Sequence, residues 1–491
     1  MMKKSLEIIR FLMKTEGTNE MKMTIFDKIG YGMGNMSYGL ISQIIGFYIV
    51  FYSTSVLGIS GKLVGLAVGL SILIDAIADP VMGYISDVTK SKLFGRRHSY
   101  ILFGGIALPI TTLLLYSLNP AWSGTTKYLL LLVLLIVARL FTTVYITPYV
   151  ALGSELSTDY VERTSIQGFK TMFFLIGIVS ATGMGLALFF NPSEQFPNGQ
   201  LNPQNYQNMA LTVLFVSLIF SLTCFGTTFK HIKTLPKHTN VISKNHTKTI
   251  IINVLNAIKN SQYRYVVLGY LFTNISSEIV STIGLHVYTY TFKLSNTQIS
   301  FILGVQFLVC ILAQPVWVAI SKRIDKKPTV QLGLLISALG SVFFAVLVLL
   351  RVHIEGNVLI ILPFAVLTGF GVAALFSLPL SMITDTIDVE ELETGERKEG
   401  VYFGLLTLAY KVSQAAVIFL LGFLLDFVKF DSKLVVQPAS TVNILGMTIA
   451  VGSFLSFTLA MIVYRKYTLN AQKVSEIQKQ IQIRKNENSI Q

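Results

Sequence analysis

The sequence predicts an all-α membrane protein with about twelve transmembrane helices in two halves of six. Three observations lead to this fold class. Of 491 residues, 52% are hydrophobic and only 13% are charged, whereas about a quarter of the residues in a soluble domain are charged. Twelve segments reach the roughly 20 mainly apolar residues that cross a bilayer. A polar, basic stretch at residues 230–249 separates the first six segments from the last six.

The predicted spans follow one another at short intervals and are numbered in chain order. Those of the first half lie near residues 28–54, 62–85, 99–118, 127–154, 169–190 and 208–229. Those of the second half lie near residues 264–292, 297–320, 329–351, 357–384, 400–428 and 442–464. The predicted regions are an N-terminal tail, a first half, a linker, a second half and a C-terminal tail, at residues 1–24, 25–229, 230–262, 263–465 and 466–491.

The distribution of Lys and Arg predicts the orientation in the membrane, because positively charged loops stay cytoplasmic. The loop after span 2, the linker and the loop after span 8 are all basic, whereas residues 191–208 contain no Lys or Arg. We therefore expect a multi-pass protein of the cell (plasma or inner) membrane with both termini cytoplasmic. The apolar run of the N-terminal tail is interrupted by Arg10 and Lys14 and has no small-residue cleavage site, which is unlike a signal peptide.

Several function classes are disfavoured by what the sequence lacks. The net charge of +14 fits loops that face anionic lipid rather than nucleic acid, because no basic stretch is interleaved with aromatics in a soluble domain. Cys224 and Cys310 lie far apart in apolar runs and indicate neither a disulfide framework nor a metal cluster. There is no Walker motif, no H-E-x-x-H and no catalytic triad. We expect no enzyme activity and no cofactor.

Span 2, "SILIDAIADPVMGYISD", carries two acids at membrane depth, where ionisable groups are costly and usually functional. Asp75 and Asp79 are four residues apart and share one helix face. Two adjacent carboxylates repel each other unless a proton or a cation lies between them, so the pair predicts a site for Na⁺ or H⁺. The alternative is that Asp79, which precedes Pro80, satisfies backbone groups freed at a kink.

Span 4 places Arg139 and Thr143 one turn apart on one face. Thr143 offers a neutral oxygen ligand for a cation at the aspartate pair, or bonds back to a carbonyl of its own helix. A guanidinium as deep as that of Arg139 needs a carboxylate, a substrate anion or water. A structural ion pair and a functional role both remain open for Arg139.

Span 7 has a polar stripe in which Asn274, Glu278, Thr282 and His286 recur every four residues. This spacing puts them on one face, which we expect to face a water-filled centre. Glu278 then either binds substrate hydroxyls or a cationic headgroup, or balances a lysine. His286 lies nearer the outer end, where we expect it at the membrane interface.

Span 11 carries Lys411 in its middle, with Thr407 and Gln414 about one turn to either side. A buried lysine near the aspartate pair is able to exchange partners with the bound cation, which is a physical route to coupling. The alternative is that the Lys411 side chain extends along its helix to the interface.

The chain resembles the glycoside–pentoside–hexuronide cation symporters of the major facilitator superfamily, melibiose-permease-like, over about residues 25–465. "DAIADPVMGYISD" is similar to the family's cation motif of helix 2, and "GRRHSYIL" to the loop after it. "PYVALGSELSTDYVERTSIQGFK" resembles the turn between helices 4 and 5, and "MITDTIDVEELETGERKEGVYFG" the acidic loop before helix 11. The resemblance implies the major facilitator fold of two related six-helix halves.

By this resemblance Asp75 and Asp79 bind the coupling cation, Thr143 contributes to its site, and Lys411 takes part in coupling. Three departures concern the substrate site. Gly39 and Ile146 stand where the melibiose permease has sugar-contacting acids on helices 1 and 4. Lys170 replaces a helix-5 arginine, which keeps the charge but loses the bidentate geometry.

The resemblance predicts symport of a sugar or glycoside with Na⁺, Li⁺ or H⁺ by alternating access, in a protein acting as a monomer. The missing acids favour an alternative, since a lysophosphatidylcholine-transporting branch of the superfamily shares the helix-2 pair, the helix-11 lysine and a helix-7 acid like Glu278. A lysophospholipid or another amphiphilic or zwitterionic solute is then the substrate. Alternatives outside transport are an intramembrane enzyme and a sensor on the same scaffold.

Overall fold

The computed structural model of the protein describes residues 23–89, 91, 93–157, 160–233, 257–395, 399–434 and 436–490. Within these ranges the chain forms helices joined by turns, and no strand. Residues 1–22 of the predicted N-terminal tail and residues 234–256 of the predicted linker lie outside the described residues. So do Lys90 and Lys92 of the basic loop after span 2.

Twelve helices of the described chain are long and apolar enough to cross a membrane, which confirms the predicted all-α fold of a multi-pass membrane protein. In the first half they are α1 (Ile25–Phe51), α2 (Gly61–Val88), α3 (His98–Leu115), α4 (Gly124–Glu155), α5 (Tyr160–Val179) and α6 (Pro203–Phe229). In the second half they are α7 (Ser261–His286), α8 (Asn296–Ile324), α9 (Lys326–Leu349), α10 (Val358–Thr394), α11 (Glu399–Phe427) and α12 (Ala439–Tyr464). A further helix, α13 (Ala471–Ile490), follows.

Two helices extend beyond the ends that the hydropathy pattern predicts. α5 begins at Tyr160 rather than near residue 169, and α10 continues to Thr394 rather than ending near residue 384. The predicted end of α10 lies just before the first acidic residue of the helix. The helix nevertheless continues, and this acidic residue is paired. Asp385 accepts hydrogen bonds from the Lys326 ammonium at 2.7 Å and from the Tyr467 hydroxyl at 3.1 Å.

The two halves repeat the same pattern of helix contacts. In the first half α1 packs against α5 and α6, and α4 packs against α2 and α3. In the second half α7 packs against α11 and α12, and α10 packs against α8 and α9. Both α1 and α7 also end in a single π turn, Tyr52–Val56 and Val287–Thr291. Such internal repetition is typical of transporters built from two related units.

Successive spanning helices alternate in direction, so Met23 and α13 lie at the same end of the bundle. We call this end the terminal end and the other the opposite end. At the opposite end, polar contacts join the halves. Asp426 of α11 accepts hydrogen bonds from the Ser60 hydroxyl and the Gly61 backbone N–H, both at 2.6 Å, and thereby caps α2. The Thr54 hydroxyl and His286 Nε2 lie 2.9 Å apart. The halves are therefore held together at the opposite end.

His286 corrects one expectation. It is fully buried where α1 meets α7, with the rings of Phe51 and Phe430 4.9 Å and 5.2 Å from its own, rather than at the membrane interface. The sequence correctly placed His286 near the end of α7. It could not show that the first half of the protein covers that end.

Close approach of α2 and α11 at the opposite end depends on glycine. A side chain at Gly422 would meet the carbonyl oxygen of Gly61 and, at 2.9 Å, the Cα atom of Gly65. Toward the terminal end α2 and α11 are less closely packed, because a Cβ atom at Gly404 of α11 would meet nothing within 4 Å. The two helices thus pack tightly from the opposite end to midspan and are less tightly packed beyond it.

Candidate functional site

The two aspartates of α2 and the threonine of α4 form one cluster at midspan. The Thr143 hydroxyl lies 2.6 Å from Asp75 Oδ1 and 2.9 Å from Asp79 Oδ1, and its one proton serves either carboxylate. The adjacent Thr142 instead donates to the carbonyl of Ala138 in its own helix at 2.9 Å. Of the two alternatives for Thr143, the structure therefore shows contact with the acids.

Lys411 of α11 reaches the same cluster from the second half. Its ammonium donates to Asp75 Oδ2 at 2.7 Å and to Asp79 Oδ2 at 2.6 Å. The lysine therefore points at the acids rather than extending to the interface. Its positive charge lies between two negative charges, where the sequence predicts a cation.

The carboxylate pair is buried unevenly. The side chain of Asp75 is 6% exposed and that of Asp79 is 29% exposed. Asp79 lies one turn nearer the terminal end, where α2 and α11 are less tightly packed, so the pair is more accessible from that side. α2 continues through Pro80 to Val88, and both Asp79 carboxylate oxygens contact side chains of other helices.

The donor set suits a small hard cation. Two carboxylates and one hydroxyl offer oxygen ligands to Na⁺ or Li⁺, and either carboxylate accepts a proton. The Oδ2 atoms, however, already hold the Lys411 ammonium. A cation that used all these oxygens would have to displace the lysine.

Glu278 lies beside this cluster on α7 and is 8% exposed. Its Oε1 accepts hydrogen bonds from the Tyr410 hydroxyl at 3.1 Å and from Gln414 Nε2 at 2.9 Å, both on α11. These partners are neutral, so the described structure does not show Glu278 paired with a lysine. Asn274, one turn earlier, donates to the carbonyl of Tyr270 in its own helix at 2.7 Å and joins neither network.

Arg139 is the deep residue whose role the sequence left open. Among the described residues no carboxylate lies within 4.0 Å of its guanidinium, and its buried Nε has no hydrogen-bond partner. It lies close enough to Glu278 and Tyr38 to act on both electrostatically. Within the described chain the structure therefore shows no ion pair that would make Arg139 a structural residue.

The Lys170 backbone of α5 contacts α1. Asn35 Nδ2 donates to the Lys170 carbonyl at 2.9 Å. Its ammonium has no carboxylate within 4.0 Å in the part of the chain that the structure describes. One turn further along α5, Phe174 stacks on Tyr38 of α1 with ring centroids 5.6 Å apart.

Tyr38 is a site residue that the sequence analysis missed. It lies close enough to Asp75, Lys411 and Arg139 to interact with all three electrostatically. The signal that could have identified it is its place beside Gly39, a position that the resemblance assigns to the substrate site. A Cβ atom at Gly39 would lie 2.6 Å from the carbonyl oxygen of Phe174, so the close α1–α5 contact excludes an acid there.

A cavity of about 190 Å³ is lined mainly by helices of the second half, and residues of the charged cluster are not part of its wall. From the first half, α1 contributes Gln43 and Phe47 and the π turn after α5 contributes Thr182, while α7 contributes Ser277 and Ser281. The rest of the wall combines phenylalanines with a few hydroxyls, namely Phe307, Phe344, Phe364, Phe376, Phe457, Ser341, Thr368 and Ser453. The cavity is thus mainly apolar, with polar groups on the α7 side, where Glu278 is found.

Known proteins resemble this chain over almost its whole length. The inner membrane symporter YicJ of Escherichia coli strain K12 is 25% identical over 94% of this chain and 95% of that protein. The sodium-dependent lysophosphatidylcholine symporter 1 of Mus musculus is 22% identical over 97% of this chain and 91% of that protein. Both relatives are named symporters.

A solved structure shows the same fold. The crystal structure of a D-xylose–proton symporter matches with a TM-score of 0.61 at 13% identity, over 88% of this chain and 97% of that chain. The family described as MFS/sugar transport protein matches residues 30–471. These findings confirm the predicted major facilitator fold and the resemblance to its cation symporters, and this chain belongs to the MFS/sugar transport protein family.

Proposed function

We propose that this protein is a secondary transporter that couples movement of Na⁺, Li⁺ or H⁺ to symport of a sugar or glycoside by alternating access. The observation that carries the proposal is the contact of Lys411, from the second half, with both Asp75 and Asp79 of the first half. A positive charge from one half therefore occupies the cation-binding oxygens of the other. The family description and the symporter relatives support the same class of function.

The proposed coupling follows from competition. When a cation takes the carboxylate oxygens, Lys411 is released and the polar contact between α2 and α11 is lost. These are the helices that close the opposite end. A ligand that binds one conformation better shifts the population toward it, so cation binding favours the conformation in which this end opens. The membrane potential supplies about 2.3 kcal/mol per charge at 100 mV.

Thermal unfolding of the purified protein in NaCl, LiCl or choline chloride, over a range of pH, tests the cation site. A ligand that binds the native state raises the melting temperature, so we expect Na⁺, Li⁺ or a proton to stabilise the wild type. Asp75→Asn should abolish this response and Thr143→Val should weaken it. Thr142→Val is the matched control and should keep it, because that hydroxyl bonds only within its own helix.

Uptake into proteoliposomes tests the transport step. We expect cation-dependent accumulation by the wild type and none by Asp75→Asn. Cation-independent uptake by the wild type, or a melting temperature that ignores Na⁺, Li⁺ and pH alike, would contradict the proposal. Chemical conversion of a substrate without any gradient would favour an intramembrane enzyme instead.

A lysophospholipid is the second candidate substrate, because the cavity is mainly apolar and has serine hydroxyls of α7 in its wall. A phenylalanine-lined cavity fits an acyl chain or an apolar aglycone better than it fits a free sugar. The lysophosphatidylcholine symporter among the relatives supports this alternative. A thermal-shift screen of sugars, glycosides and lysolipids, with and without Na⁺, separates the two classes.

The proposed setting is the cell membrane, with the terminal end facing the cytoplasm and the protein acting as a monomer without a cofactor. The basic loops around residues 89–98 and 321–328 support this orientation. Reporter fusions after residue 490 and within residues 191–208 check it, since only the former should be active in the cytoplasm.

A further inference from the structure

His286 is a titratable side chain in the contact between the two halves at the opposite end. It belongs to α7 of the second half, and its Nε2 lies 2.9 Å from the hydroxyl of Thr54 in the first half. Phe51 of the first half and Phe430 of the second half pack against its ring. The side chain is fully buried. No step of the proposed symport uses this residue.

The hydrogen bonds around His286 determine which ring nitrogen carries the proton. The Thr54 hydroxyl has one proton, and it donates this proton to the Val50 carbonyl, which only accepts, at 2.7 Å. Nε2 of His286 must therefore carry a hydrogen and donate it to the Thr54 oxygen. Nδ1 is then the unprotonated nitrogen, and in the described chain it has no hydrogen-bond partner. The imidazole is thus neutral, and its proton-accepting atom is enclosed.

A second ring proton would have no acceptor while this end is closed. Among the described residues no carboxylate lies within 4.0 Å of the His286 ring. Its neighbours are aromatic, because Tyr290 of the adjacent π turn packs on both Phe51 and Phe430, with ring centroids 6.1 Å and 5.3 Å away. An interior charge without a partner is costly. The closed end therefore encloses His286 in its neutral form.

The charged groups of this region lie around a neighbouring cavity. This cavity has a volume of about 190 Å³, and its wall includes both Thr54 and Phe430, which also contact His286. Three charged residues line it, namely Asp426, Asp431 and Lys433. Asp426 already accepts hydrogen bonds from Ser60 and Gly61 of the first half. Thr54 and Phe430 are thus the side chains between the imidazole and a polar space.

Opening of the opposite end would change the surroundings of His286. Thr54 and Phe51 belong to the first half, so separation of the halves removes both from the ring. The ring then faces the polar cavity and water, where Nδ1 is able to accept a proton. An imidazole in water becomes protonated near pH 6.5. A proton therefore binds the open end better than the closed end.

We propose that His286 makes closure of the opposite end sensitive to pH, because the proton that it takes up in the open protein keeps the two halves apart there. This inference goes beyond the proposed symport, since it concerns closure of the bundle and not the cation site. A ligand that binds one conformation better shifts the population toward it. In the orientation proposed above, the pH that acts on His286 is that outside the cell.

The size of the effect follows from titration of one imidazole. His286 contributes fully to closure well above pH 6.5, and this contribution decreases as the pH falls through that value. With a neutral closed form and an open form that titrates normally, the ratio of open to closed protein rises about tenfold from about pH 7.5 to about pH 5.5.

Spin labels at Ala121 and Val352, on exposed turns of the two halves at the opposite end, measure this ratio by pulsed electron resonance. The sample is the full-length protein in lipid nanodiscs. The ratio of long to short distances in the wild type should rise about tenfold over this pH range. His286→Gln keeps an amide that donates to Thr54 but does not titrate, so its ratio should change about twofold or less.

His353→Gln is the matched control. It is the same substitution at the same end, but His353 is exposed on the single helical turn Arg351–Ile354 between α9 and α10. Water therefore solvates this side chain in the closed protein as well, and the variant should keep the wild-type response. Asp75 and Asp79 are unchanged in both variants, so titration of the cation site contributes equally to each. The difference between the variants reports His286 alone.

A wild type whose distances do not change with pH would overturn the inference. A full pH response in His286→Gln, or an equal loss of response in both variants, would overturn the assignment to His286. If His286→Gln fails to fold, His286→Asn replaces it in the same comparison. The rise in melting temperature with Na⁺ or Li⁺ at fixed pH should persist in His286→Gln, so the inference and the proposed symport are tested separately.

Discussion

Gly422→Ala should weaken closure of the opposite end. The new Cβ atom would lie 2.9 Å from the Cα of Gly65, whereas ordinary contacts begin near 3.4 Å, and it would also meet the Gly61 carbonyl. Both neighbours are backbone atoms and cannot rotate away, so α11 must shift away from α2. Overpacking of this kind costs about 1–3 kcal/mol, which changes a conformational ratio by about 5- to 150-fold.

Gly404→Ala is the matched control for this prediction. It is the same substitution in the same helix, but its Cβ would meet nothing within 4 Å. Both substitutions gain about the same helix propensity, so a difference between them reports the contact with α2. Because α2 also carries the aspartates, Gly422→Ala should loosen Lys411 and raise the apparent cation affinity.

Spin labels at Ala121 and Lys433, on exposed turns of the two halves at the opposite end, measure the outcome by pulsed electron resonance. The wild type should give mainly the short distance of the closed end. Gly422→Ala should add a longer distance, and Gly404→Ala should not. The reasoning fails if both variants match the wild type, or if the control opens the bundle to the same extent.

Two further predictions concern the polar contacts between the halves. Lys411→Met removes the competitor of the cation, so calorimetry should show tighter Na⁺ binding while gradient-driven accumulation is lost; weaker binding would contradict competition. Asp426→Asn keeps the shape of the cap on α2 but removes the charge that favours Gly61 at the helix N-terminus. It should weaken closure by about 1 kcal/mol, and an unchanged spin-label distance would show that the charge is unimportant.

The predictions that the structure confirms rest on local information. A run of about 20 apolar residues is a property of one segment, so the number of spans could be read from the sequence. The spacing of Asp75 and Asp79 likewise fixes their common face without knowledge of any other helix. Helix ends were less accurate, because α10 continues past the apolar region as a helix whose acids are paired.

Contacts between distant segments could not be derived in this way. Lys411 is 336 residues from Asp75 in sequence, and periodicity does not tell which helices are neighbours. Only the resemblance associated Lys411 with the aspartates. The same limit applies to Arg139, since the sequence shows that it is deep but not that every described carboxylate lies more than 4.0 Å from its guanidinium. For Asn274 the four-residue stripe could not show that the side chain donates to a carbonyl of its own helix.

The departures from the family at the substrate site also follow from packing. Gly39 permits α5 to approach α1, because any side chain there would clash with the Phe174 carbonyl. The helix-1 acid of the melibiose permease is therefore incompatible with this helix pair.

The pair α2 and α11 explains how one bound ion is able to influence an end of the bundle several turns away. Its glycine contact, at Gly61 and Gly422, is steric and independent of the ion. Its charged contact, at Asp79 and Lys411, is the one that the proposed ion would displace. Because both contacts lie on the same two helices, no chain of intermediate residues is needed between site and closure. A charged hydrogen bond contributes about 1.5–3 kcal/mol, which is enough to shift a two-state equilibrium by about tenfold or more. In this proposal the ion changes only the charged contact. The glycine contact then determines what fraction of the protein stays closed at the opposite end after Lys411 has been released.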